Sequence, residues 1–120
     1  MCAFDGKKPL FRKVPQMLVV SIEPTKGDTK WNLKALEDHA ACACAVQNLM
    51  VYLASEGVGT KWMTGAMGIK GEKILSEICV DGVSPTEHFM GVIMIGMAAQ
   101  PLDSVKVPVR KSGLACFTQY

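Results

Sequence analysis

A chain of 120 residues with 49% hydrophobic and 20% charged side chains has the apolar content of one folded domain spanning residues 1–120. A domain of that length buries about two-thirds of the surface its unfolded chain exposes, which excludes an intrinsically disordered protein. Thirteen basic against eleven acidic side chains leave a formal net charge of +2. That field is too mild to point to nucleic acid or to an anionic membrane surface.

In chain order, residues 1–15 read as irregular, broken by Gly6, Pro9 and Pro15, with Lys7, Lys8, Arg12 and Lys13 solvating an extended arm. Residues 16–22 form a short apolar run bounded by Pro15 and Pro24, which predicts a buried strand. A turn follows over 24–28. Neither Gly nor Pro occurs from 32 to 56, and Leu33, Leu36, Ala40, Ala43, Gln47, Met50 and Ala54 recur at three- and four-residue steps. This predicts a long helix with Asn32 as N-cap and Gly57 as terminator. Its middle, Ala40 to Ala45, is so rich in small side chains that other backbones can approach closely, as suits a central helix buried on several sides.

Residues 57–65 read as a short extended passage between glycines. A second helix is predicted over 70–80, ended by Asp81 and Gly82. Residues 88–98 are nearly all apolar and read as a strand central in a sheet. From Gln100 the chain is extended, with Pro101 and Pro108. The order expected is therefore strand, long helix, loop, helix, strand, tail.

Five cysteines (Cys2, Cys42, Cys44, Cys79 and Cys116) are an odd number without the paired spacing of a disulfide scaffold. Free thiols in a reducing, cytoplasmic setting are expected. Residues 1–9 are polar, with no apolar segment of a signal peptide. The longest apolar-rich stretch, 40–54, is interrupted by Gln47 and Asn48 and falls short of the roughly 20 residues a membrane span needs.

Three kinds of site fail on spacing. Cys42 and Cys44 point about 200° apart on a helix, so with His39 they make no tetrahedral metal centre; no metal site is expected. A nucleophilic cysteine needs a base in reach, and His39 and His88 sit in no recognisable nucleophile motif. The glycines at 57 and 59 follow a helix, the reverse of a dinucleotide fingerprint, and Trp62 occupies the third glycine's place.

What remains is an ordered set. Gln47 and Asn48 lie on the helix, and Gly57-Val-Gly-Thr-Lys-Trp-Met-Thr-Gly65 follows it. Gly91-Val-Ile-Met-Ile-Gly96 and the pair Arg110-Lys111 come later. Taken together, from about Val14 to Arg110 or Lys111, these resemble the C-terminal half of the nitroreductase family. The resemblance implies an α+β, partial nitroreductase-like fold, with sheet strands packed against a long central helix. It further implies FMN as cofactor, NADH or NADPH as electron donor, and a nitroaromatic, quinone or similar small molecule as acceptor, in a homodimer built on the long helices.

By the same resemblance, Trp62, Met63, Thr64 and Gly65 run along the flavin ring, with the Thr64 backbone N–H near the ring nitrogen N5. Arg110 or Lys111 would supply one charge to the phosphate. No side chain is expected to act as a catalytic acid or base, because the flavin carries the chemistry. The family's Arg-Ser-x-Arg phosphate clamp and Pro-Ser-x-x-Asn segment do not occur, so the chain is expected to lack the family's N-terminal portion and to form one wall of the site. A second reading is a non-catalytic dimerisation or interaction module that retains the helix core.

Overall fold

The computed structural model describes residues 13–26, 33–65, 68–79, 81–104 and 106. Its elements are strand β1 (Gln16–Ile22), helix α1 (Leu33–Ser55), strand β2 (Val58–Met63), helix α2 (Gly71–Ile78), strand β3 (His88–Met97) and a short 3-10 turn at Leu102–Ser104. The α+β class holds. The three strands form one antiparallel sheet in the order β1-β3-β2. Residues 58–63, expected as part of a loop, are instead the second edge strand. Their Gly-Thr-Lys-Trp sequence carries no apolar run, and only pairing with β3 reveals them.

β3 is central, as its unbroken apolar sequence requires: Val92 and Ile93 are both 0% exposed although they point to opposite faces. On one face Val92 and Met94 cluster with Ile74 of α2, joined by Met17, Val19, Met63 and Phe89. On the other, Ile93 faces Leu18 and Val20 of β1 and Cys42, Val46 and Leu49 of α1. The sheet is thus covered by a helix on each side, and alternate residues of β1 serve the two layers.

α1 ends as expected. Gly57 takes a φ of 75° and its N–H donates to the Ala54 carbonyl at 3.1 Å. Its buried face is only partly the expected one. The residues turned at least partly from solvent are Ala35, Asp38, His39, Cys42, Ala43, Val46, Leu49, Met50 and Leu53, and Val46 alone is fully buried. Of the predicted stripe, Leu33, Leu36, Ala40, Gln47 and Ala54 are exposed, with Leu33 at 67% and Leu36 at 64%, whereas Ala43 and Met50 are half-buried. The helix is apolar or small nearly all round, so periodicity does not single out one face.

Two polar clips fix the turn before β3. Glu23 accepts hydrogen bonds from the Ser84 hydroxyl at 2.7 Å and the Thr86 hydroxyl at 2.8 Å, which hold its carboxyl below the usual range. The Ser21 hydroxyl donates to Glu87.

The β1–β3 register slips between Val20 and Ser21: Val20 pairs with Gly91 and Ser21 with Phe89, so Met90 is an inserted bulge residue. Gly91 carries the distortion with a φ of 140°, and a Cβ there would lie on the Trp62 indole and 2.8 Å from the Met63 carbonyl oxygen. Gly91→Ala should therefore destabilise the fold by about 1–3 kcal/mol, the usual cost of overpacking. Denaturant unfolding of the two forms would measure it, and an unchanged midpoint would show that the bulge relaxes freely.

Candidate functional site

Strand β2 leads directly into the segment singled out in the sequence. Trp62 pairs with Ile93 and Met63 with Val92, the last rung of the ladder. The Trp62 indole N–H donates to the Met90 carbonyl at 3.1 Å, and the ring lies across Gly91. The bulge at Met90 turns that carbonyl toward the indole, and the missing side chain at Gly91 makes room for the ring. Met63 packs against the cluster of Ile74, Val92 and Met94. The side chains of Trp62 and Met63 are therefore committed to holding the strand end.

Thr64 and Gly65, by contrast, are exposed, and nothing stands within 4 Å of the position a Gly65 Cβ would take. They line a cleft of about 590 Å³, open to solvent, with Gly68, Ile69, Lys70 and Glu72 opposite. Lys70 and Glu72 bring one charge of each sign to its rim. The start of α2 also lines the cleft, and its first residue, Gly71, packs so closely on Phe89 that an added Cβ would enter the ring.

This arrangement leaves main chain accessible at the mouth of the cleft. A backbone free of side-chain bulk at Gly65 can come within hydrogen-bond reach of a ring edge, and the strand beneath it is braced on both faces. Arg110 and Lys111, the expected phosphate contacts, lie outside the described residues. The four residues at 62–65 are contiguous along one strand end, so the structure divides them into two braces and two open positions.

The Nitroreductase family model matches residues 3–97, and the chain belongs to that family. The match starts earlier than the resemblance read from Val14 and stops at Met97, short of Arg110 and Lys111. A solved structure, that of a nitroreductase-like family protein from Bacillus cereus, is similar with a TM-score of 0.66 at 17% identity, over 87% of this chain and 50% of that one. At that identity the likeness is one of fold, and the chain spans half the length of that protein. No curated protein matches it. Among the described residues, no helix is long and apolar enough to cross a membrane.

The sequence missed two things here. One is the indole seat on the bulge, signalled only by a glycine within an otherwise apolar strand. The other is a meeting of His39 with His88, which lie 49 positions apart in the chain. Trp62→Phe, which keeps an aromatic side chain but removes the N–H and the pyrrole ring packed on Gly91, should cost at least about 0.5–1.5 kcal/mol through the lost bond to Met90 and the lost packing. Thermal or denaturant unfolding would register that loss; equal stability would show that the contact adds nothing.

Proposed function

We propose that this chain supplies one wall of the FMN site of an NAD(P)H-dependent oxidoreductase that reduces nitroaromatic, quinone or similar acceptors. One observation carries the reading: in a chain of this family, the Thr64–Gly65 backbone stands open at the end of a braced strand, facing a cleft. Bound FMN would supply the hydride and electron transfer. The chain's own part is positional. The Thr64 N–H would donate to the ring near N5, Gly65 would permit close approach, and Trp62 and Met63 would keep the strand end from moving away. Arg110 or Lys111 would meet the phosphate as a charge-assisted contact.

Titrating FMN into the purified chain should quench flavin fluorescence saturably. Thr64→Pro, which removes the backbone donor, should weaken binding about tenfold, the equivalent of one hydrogen bond of ~1.4 kcal/mol. A folded chain that quenches no FMN saturably would reject this reading.

A second reading, dimerisation through α1, is favoured by the helix surface itself. Leu33, Leu36, Ala40, Cys44, Gln47, Val51 and Ala54 follow one another at helical spacing on the exposed side. A stripe of apolar and small side chains of that length suits close packing against a second copy of the helix. Ala40→Glu should convert a dimer to a monomer in sedimentation or light scattering while leaving the far-ultraviolet dichroism unchanged. A monomeric parent protein would dismiss this reading.

A further inference from the structure

His39, on the sheet-facing side of α1, meets His88, the first residue of β3. Their ring centroids are 5.4 Å apart and their planes are tilted by 47°. Nε2 of His39 stands 3.3 Å from Nδ1 of His88. The other ring nitrogen of His39, Nδ1, is 2.5 Å from the Ala35 carbonyl oxygen. A carbonyl can only accept, so Nδ1 carries the proton and Nε2 presents its lone pair toward His88. Neither the core nor the cleft at Thr64 and Gly65 makes use of this pair.

We propose that His39 and His88 form a binding site for a borderline divalent cation of the zinc class. Two imidazole nitrogens at about 2.0–2.1 Å from a tetrahedral ion lie about 3.3–3.4 Å from each other. The observed separation, spanned by a hydrogen bond from Nδ1–H of His88 when no ion is present, meets that distance once the His88 proton moves to its Nε2. The bond from Nδ1–H to the Ala35 carbonyl is the kind that fixes the tautomer and orientation of a ligating histidine. Nitrogen donors select Zn²⁺, Co²⁺, Ni²⁺ or Cu²⁺ over Mg²⁺ and Ca²⁺, which take oxygen.

Among the described residues, no group of three or more His, Cys, Asp or Glu side chains is placed to hold a metal ion. With no third side chain among the described residues, water would complete the coordination that the two histidines leave open, which makes the site exchangeable. Cys42, one turn beyond His39, lines the apolar groove with Leu18, Val46 and Leu49 and belongs to that packing. Bound metal would join the first half of α1 to the start of β3 and should stabilise the fold in proportion to its occupancy.

The test uses the full chain, Zn²⁺ and the spectroscopic probe Co²⁺. One equivalent of Zn²⁺ should bind saturably and raise the melting temperature. His39→Gln and His88→Gln should each weaken binding by about 10–100-fold or more and abolish the thermal shift. The Co²⁺ complex should show ligand-field bands without a thiolate-to-metal charge-transfer band. Circular dichroism of the metal-free variants confirms folding; because His88 is exposed, His88→Gln decides the matter if His39→Gln does not fold. The proposal is overturned if folded wild-type protein binds no Zn²⁺ saturably, or if the histidine variants bind it as tightly as wild type. It is equally overturned if Co²⁺ shows thiolate ligation that Cys42→Ser removes.

Discussion

Everything in this fold hangs on β3 being buried on both faces. A strand with a partner on each edge and a helix over each side can expose no polar residue in its middle, and Val92 and Ile93 accordingly see no solvent. Its neighbours then have little freedom. β1 must alternate its side chains between the two helical layers, and β2 must place Met63 toward α2 while Trp62 takes the other face. The bulge at Met90 is the one departure from this regularity, and the indole of Trp62 is fastened to it. The strand end that presents Thr64 and Gly65 is thus tied to the most deeply buried part of the sheet.

The division of labour along residues 62–65 follows from the same constraint. Side chains that point into a packed layer cannot also contact a ligand, so what β2 offers beyond Met63 is main chain. Main-chain donors carry no side-chain rotamer entropy to lose when a ligand arrives. A glycine at the exposed position removes the steric barrier, and a helix start close behind, packed on Phe89, supplies the facing wall.

The elements with a strong local signal were legible in the sequence. β1 between two prolines, α1 without glycine or proline, and the apolar run of β3 all lie within a residue or two of where the sequence puts them. The Gly57 terminator also takes its expected conformation. β2 was not legible, because a strand with glycine, lysine and threonine at successive positions is defined by its partner and not by its own composition. The buried face of α1 was only partly legible for a related reason: two interleaved stripes satisfy the helical period, and only the sheet decides which one is covered. Among the site residues, spacing singled out 62–65 as a segment but could not tell the braces from the open positions. The pairing of His39 with His88 depends on where a helix start meets a strand start, which no local pattern encodes.

The order of pairing in the sheet bears on how the chain assembles. β2 and β3 are joined by the shorter loop, from Met63 to Val92, whereas β1 must close a ring reaching from Gln16 to Ile95. The longer closure costs only about 1 kcal/mol more in chain entropy, yet contacts so distant in sequence form late. Until β1 docks, β3 presents a bare edge of unpaired amides and an apolar surface on each side. Such an edge accepts any strand of matching pattern, and the β1 segment of another copy is the best match available. Exchange of β1 between chains is thus the natural competitor to monomer folding, and it would preserve every pairing seen here while linking two molecules.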